Sequence, residues 1–261
     1  MLKLYEHPLS SYVQKVKIAL REKNIPFEAV RATGVGPGGA SGEFVAANPR
    51  AEVPALIDGA TMLFDSTIIL EYIEEKWPAP ALLPAGPAER ARLRMIEEVC
   101  DTHYEAINWG LGEINRFGRA EGALKDALVA KAKGQIAGMQ NWLARQLGSA
   151  DWFNGTGFGW GDLSVVPYVN GSARYGFGPD AESPLGRWHR RVNARESVRL
   201  THEEANASLV GLVNVAEAIE KGLFKREYRD HRLEWMIKSG GIEVVLKGLE
   251  KHNIRFSEDF K

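Results

Sequence analysis

The sequence predicts an α/β domain of order β-α-β-α-β-β-α followed by an all-helical domain with a helical C-terminal extension. Three observations predict it. Strand and helix signals alternate up to Trp77, a proline-rich stretch interrupts them, and only helical periodicity follows.

Leu2 to Tyr5 is a short apolar strand, and Tyr12 to Lys23 is an amphipathic helix with Ser10 and Ser11 where its N-cap belongs. Residues 26–32 alternate apolar and polar side chains as a second strand does, and a crossover through the helix makes the two strands parallel. After the glycine-rich run 34–39, read as a mobile loop, come a short helical piece at 41–47 and two strands at 55–57 and 62–64. Asp58-Gly59 between these strands signals an antiparallel hairpin. Asp65 and Ser66 then cap a helix over 67–77, whose Ile68, Ile69, Tyr72 and Ile73 form an apolar stripe. Prolines 78, 80, 84 and 87 mark a linker. Helical patterns run over 88–117, 124–147, 162–169, 184–195 and 202–221, and a terminal pair at 225–238 and 242–252 is separated by Ser239-Gly240-Gly241, a natural C-cap. The expected organisation is therefore an α/β domain over 1–77, a linker over 78–87, a helical domain over 88–221 and an extension over 222–261.

Composition excludes several functions. A chain of 261 residues with 44% hydrophobic content can bury real cores, so disorder is not expected. The net charge of −1 provides no field for a polyanion, and no basic run is interleaved with aromatics, so nucleic acid is not an expected partner. The first residues lack the apolar region of a signal peptide, and no apolar run is long enough to span a bilayer. Cys100 is the single cysteine; it cannot form an internal disulfide, which fits a reducing cytoplasm, and its place in a helical pattern marks it as a buried small residue. The six histidines show no metal-ligand spacing, so no metal is expected. Neither a Gly-x-Ser-x-Gly elbow nor a Gly-Lys-Ser/Thr phosphate loop is present.

Three segments, in order and spacing, resemble the glutathione transferase superfamily: Ser10-Ser-Tyr-Val-Gln-Lys-Val-Lys-Ile-Ala-Leu20, Asn48-Pro-Arg-Ala-Glu-Val-Pro-Ala-Leu56 and Phe64-Asp-Ser-Thr-Ile-Ile-Leu-Glu-Tyr72. The resemblance covers the whole N-terminal domain and implies a thioredoxin-like fold there. A helix N-terminus carries unpaired N–H groups and a partial positive charge, which lower the pKa of a thiol held before it, and a serine hydroxyl can donate a further bond to the sulfur. By resemblance to the serine-type enzymes, Ser10 activates the thiol of glutathione. The theta-type spacing would place that role on Ser11. The same resemblance makes Val53-Pro54 a cis pair whose Val53 backbone binds the cysteinyl part of glutathione, and gives Asp65 and Ser66 its γ-glutamyl end, with Tyr12, Arg50 and Glu52 beside it. Each pair also has a purely structural reading: serines and Asp-Ser pairs cap helices, and a proline can begin an edge strand in the trans form.

Two positions depart from the family. Where many relatives carry Lys, His or Gln for the glycine carboxylate of glutathione, this chain has Gly38-Gly39 and Glu52, leaving Arg50 or Arg31 for that charge. Gly159 stands where the family has a Ser/Thr cap, with Asp162 still able to accept helix N–H bonds. The function implied is a glutathione transferase that adds the thiolate to a small hydrophobic electrophile, with dimerisation expected by analogy. A glutathione-dependent isomerase, etherase or dehalogenase, and a non-catalytic binding protein of the same fold, are the alternatives. Tyr104, Trp109, Phe117 and Tyr168 are the candidate lining of the second-substrate pocket, with Arg174 and Tyr175 in reach of the same cleft.

Overall fold

The structure is a computed structural model that describes residues 1–32, 42–209, 215–222, 226–228 and 230–255. The glycine-rich run expected as a loop, with Gly38 and Gly39, lies outside the described residues.

Strand β1 (Leu2–Glu6) leads through helix α1 (Ser11–Glu22) to β2 (Phe27–Arg31), which pairs parallel to β1 from Leu2↔Phe27 to Glu6↔Arg31. The short helix α2 (Glu43–Ala47) precedes β3 (Ala55–Asp58), antiparallel to β1 with Tyr5 opposite Ala55, and β4 (Thr61–Phe64) turns back on β3 with Ala55 opposite Phe64. Gly59 takes φ 62° in that turn, where a side chain would be strained. Helix α3 (Ser66–Lys76) closes the unit, and the sheet order is β2-β1-β3-β4.

Alternation along the strands assigns the two faces of this sheet. Leu2, Leu4 and Leu56 pack with Val13, Val16 and Leu20 of α1 and Ile69 and Ile73 of α3. On the other face Tyr5, Ala55 and Ile57 meet Phe44 and Ala47 of α2.

A long helix follows the proline-rich stretch: α4 (Pro87–Val99), a π-helical segment (Cys100–Tyr104) and α5 (Glu105–Asn115). Then come α6 (Gly122–Leu147), α7 (Trp160–Ala173), α8 (Pro184–Asn193), α9 (Glu196–Ala207), α10 (Val215–Glu220), β5 (Arg226–Glu227), α11 (Asp230–Lys238), α12 (Ile242–Glu250) and β6 (Ile254–Arg255).

Several expectations need correction. The helix expected at 162–169 runs from Trp160 to Ala173, and residues 160–172 are all buried, so no polar stripe existed to show its length. The patterns at 184–195 and 202–221 resolve into α8, α9 and α10; Arg195, in extended conformation, separates the first two. The C-terminal part also contains a strand pair, β5 with β6, too short for periodicity to reveal. At the junction before α12, Gly240 takes φ 87° as the sequence predicted for a C-cap.

Candidate functional site

Register brings the three predicted motifs to one end of the sheet. Because Tyr5, Ala55 and Phe64 are aligned across β1, β3 and β4, the chain leaving β1 toward Ser10, the chain entering β3 through Val53-Pro54 and the chain leaving β4 into Asp65-Ser66 all emerge there. Arg31, opposite Glu6, ends β2 at the same edge.

Ser10 is the N-cap of α1. Its Oγ accepts from the Val13 amide at 3.4 Å, its own amide donates to the His7 carbonyl at 2.9 Å, and its carbonyl accepts from the Gln14 amide at 3.0 Å. Gln14 Nε2 donates to the Pro8 carbonyl at 2.8 Å, which ties the loop to the helix. Ser11 is the first helical residue, and the Tyr12 hydroxyl donates to the Asp101 carbonyl at 2.7 Å.

The peptide bond Val53-Pro54 is cis. Buried Asn48 fixes the loop before it: its Nδ2 donates to the Glu52 carbonyl at 2.8 Å and its Oδ1 accepts from the Arg50 amide at 3.0 Å. The guanidinium of Arg50 lies over the Phe64 ring, 5.0 Å from its centre, with Nε 3.6 Å from a Glu52 carboxylate oxygen. Glu52 therefore sits beside a cation, which offsets the repulsion its charge would exert on a ligand carboxylate.

Asp65 caps α3 at φ 73° and ψ 127°, a positive-φ conformation outside the left-handed helical well in which a side chain is strained. Its Oδ1 accepts from the amides of Thr67 at 3.0 Å and Ile68 at 3.4 Å. Two of the first amides of α3 are thus bound by the cap itself. Ser66 is buried behind it.

The second-substrate residues divide. Tyr104 and Tyr168, expected in the pocket lining, have no exposed surface; Tyr104 bonds Ser172 Oγ at 2.9 Å, and the Tyr168 hydroxyl donates to Asp101 Oδ1 at 2.6 Å. Both are core residues. Trp109 and Phe117 are half-buried, and Trp109 is covered by residues of the C-terminal extension, with the Tyr228 ring edge-on at 4.6 Å and the Arg232 guanidinium 5.2 Å from its centre. Asp162 is structural, accepting from the amides of Gly159 and Phe153 and from Trp188 Nε1.

Sequence reasoning missed an acidic row on the long helix. Glu97, Asp101, Glu105 and Glu113 recur at multiples of four residues, so each close pair along the row is adjacent on the helix surface. Lys15 of α1, fully buried, bonds Glu97 Oε1 at 2.7 Å and Asp101 Oδ2 at 2.6 Å. Burial opposes a charge on Lys15, but Asp101 and Glu97 outweigh it and hold its pKa above the ordinary lysine range. Glu97 also accepts from Thr67 Oγ1 and Trp160 Nε1, so this one carboxylate joins α1, α3, α4 and α7. Further along the row, Glu105 receives Arg232 at 2.6 Å and His231 at 2.9 Å. Burial alone would raise the Glu105 pKa; Arg232, and then His231, bring it down to about 2. The signal in the sequence was acidic residues at multiples of four within one helical pattern. Next to the row, burial first and the Asp101 charge second push the Cys100 thiol well up, so it is no nucleophile.

A mixed four-stranded sheet of this order, with the cis proline and capped helices at one end and a helical domain behind, defines the class of thioredoxin-like proteins with an all-helical second domain. Residues 4–81 match the family model of the glutathione S-transferase N-terminal domain. The chain is 30% identical to maleylacetoacetate isomerase of Pseudomonas aeruginosa over 77% of this chain and 95% of that protein. It is also 30% identical to glutathione S-transferase U28 of Arabidopsis thaliana, over 75% of this chain and 86% of that one. A solved glutathione S-transferase from Methylobacterium radiotolerans, in complex with glutathione sulfonate, superposes with a TM-score of 0.63 at 30% identity, over 77% of this chain and 93% of its own. The chain belongs to the glutathione S-transferase family.

Proposed function

We propose that this protein is a glutathione-dependent enzyme in which Ser10 activates the thiol, Val53 pairs with the peptide backbone and Asp65 with Ser66 holds the γ-glutamyl end. The carrying observation is the arrangement of these motifs at one end of the sheet. The sheet order sets Ser10 beyond β1, Val53 before the neighbouring β3 and Asp65 beyond the edge strand β4. Two strand spacings amount to about 10 Å, the span of an extended tripeptide. The paired Arg50–Glu52 and Arg31 supply the charge at this end in place of the family's usual cation.

When bound, glutathione supplies a thiolate nucleophile. The residues of this chain lower its pKa through the α1 N-terminus and a donor at Ser10 Oγ, as transfer to a small hydrophobic electrophile requires. A second reading, isomerisation of an unsaturated acid, is favoured by one observation. Arg174 Nη2 is buried with no hydrogen-bond partner among the described residues. Burial first, and the charge of Arg116 second, hold the Arg174 pKa below the ordinary arginine range. Arg174 Nε donates to Asn206 of α9, and α9 runs along α1 from Glu22 (Ser197) to Lys17 (Glu204), so Asn206 and Arg174 lie toward the Ser10 end. Two guanidiniums without a described carboxylate partner suit a carboxylate-bearing substrate.

Calorimetric titration with glutathione, run on the wild type and on Ser10→Ala, tests the first reading. Saturable binding by the wild type, with conjugation of 1-chloro-2,4-dinitrobenzene reduced about 100-fold in the variant, is the expected result. No binding at millimolar glutathione would overturn it. Arg174→Met separates the two reactions: it should lower kcat/KM about tenfold on maleylacetoacetate and leave the neutral electrophile unaffected. We further infer a homodimer in the cytoplasm, whose reducing conditions fit a chain with a single cysteine. Among the described residues no helix is long and apolar enough to cross a membrane.

A further inference from the structure

We infer that Asn154 is a chemically labile tie between the linker and the helical domain: a deamidation site that the fold holds shut and that, once converted, cannot re-form the tie. Gly159, at the N-cap of α7, has no side chain to accept from the first-turn amides. Asn154 accepts from outside the helix instead, with its Oδ1 2.9 Å from the Gly161 amide nitrogen. A Cβ on Gly159 would stand 2.0 Å from Asn154 Nδ2, so the asparagine fills the place that a Ser or Thr cap would take. Nδ2 donates in turn to the carbonyl of linker residue Leu82 at 2.6 Å, which also accepts from the Trp160 amide at 2.8 Å. The Leu82 amide donates to Glu74 of α3 at 2.9 Å, and Glu74 pairs with Lys23 at the end of α1. One asparagine thus joins the start of α7 to a linker residue that the α/β domain grips.

Gly155 follows Asn154. With no side chain on that glycine, its backbone nitrogen can approach Asn154 Cγ unhindered. A bond from Gly155 N to Cγ forms, the Cγ–Nδ2 bond breaks, and the Gly155 amide proton leaves with Nδ2 as ammonia. Water then opens the succinimide to aspartate or isoaspartate. The fold blocks the first step twice. The Gly155 amide donates to the Trp152 carbonyl at 2.9 Å, and both ends of the Asn154 side chain are bound. Attack needs all of these released, so the reaction waits for the loop to open. The product then excludes the old contact: a carboxylate oxygen would face the Leu82 carbonyl where a donor stood. It would also add charge to a loop whose Phe153 and Gly159 amides already hold the Asp162 carboxylate.

The tryptic peptide 146–174 carries a second Asn-Gly pair, Asn170-Gly171 inside α7, which serves as an internal reference. The full-length protein is incubated at mildly alkaline pH, with and without urea, and the conversion of each asparagine is read by mass spectrometry. Both should convert in urea, and Asn154 should convert at least about tenfold more slowly in the native protein. Glu74→Gln loosens the grip on Leu82, and should raise the native rate at Asn154 several-fold while leaving Asn170 unchanged. A native wild type that converts as fast as in urea overturns the inference, as does a variant in which both asparagines accelerate alike or neither does. Asn154→Asp should melt about 5 °C or more below the wild type, and an equal Tm would show that the tie holds nothing together.

Discussion

Asp65 joins an observed role, as helix cap, to a proposed one at the γ-glutamyl end of glutathione, and a single substitution can separate them. As an N-cap at positive φ it binds the amides of Thr67 and Ile68, and asparagine caps helices as well as aspartate and has the same shape. Asp65→Asn should therefore leave Tm unchanged within a few degrees while weakening glutathione binding about fivefold, because only the charge proposed to face the ligand amine is lost. Calorimetry beside a thermal melt reads both, and an unchanged Kd would reduce Asp65 to a cap. Ser10 is different, because its hydroxyl serves the Val13 amide and the proposed thiol together, so Ser10→Ala carries a cap loss of about 1 kcal/mol in addition to its effect on rate. The caps at Ser10 and Asp65 were legible in the sequence because each stands at a boundary that cap chemistry marks, and the cis bond after Val53 was implied by the family resemblance. Lys15 was not. A lysine in an amphipathic helix reads as solvent-facing, and only the tertiary position of Glu97 and Asp101 explains its burial.

At the scale of elements, the acidic row is neutralised from two sides. Lys15 serves its first half from the thioredoxin-like domain, and Arg232 with His231 serves Glu105 from the extension. Lys15→Met would leave Glu97 buried beside Asp101 without a cation, and a loss of about 3–5 kcal/mol in denaturant unfolding is expected. The Glu105 latch has a defined pH window. Its folded-state pKa of about 2 lies below the ordinary carboxylate value of 4.5, so its stabilisation is fully present above pH 4.5 and is lost as pH falls toward 2. That shift corresponds to about 3 kcal/mol. Amide exchange over α11 should therefore accelerate between pH 4.5 and 2 in the wild type. Glu105→Gln should show less protection at pH 7 and no further change through that window. The helices themselves were legible where one face is polar, as in α1. They were misjudged where burial is complete, as in α7, because amphipathic periodicity requires a wet side.

The whole molecule leaves large apolar side chains about half exposed on the α/β domain and the start of the long helix: Met62 on β4, Ile68 on α3 and Met95 on α4. Exposed apolar groups on successive elements next to an edge strand fit the inferred homodimer. The double variant Ile68→Glu/Met95→Glu should sediment as a monomer where the wild type sediments as a dimer, and equal sedimentation would exclude this face. The domain order was legible from alternation, linker prolines and motif spacing. The docking of the extension was not, since nothing local in Trp235 or Arg232 indicates that Gly110 and Glu105, more than a hundred residues earlier, are their partners.

The π-helical segment Cys100–Tyr104 governs this arrangement through rotation. Side chains spaced by four overshoot a full α-helical turn by about 40° at each step, so a row of four steps would drift to the far side of the helix. A π turn holds more residues and takes back part of that drift. Deleting one residue there, for example Thr102, would turn everything beyond it by about 100°. Glu97 would remain on Lys15 while Glu105, Trp109 and Glu113 swung away from the extension. One peptide unit thus sets the phase between the two halves of a single shaft, and with it which end of the chain each half can engage.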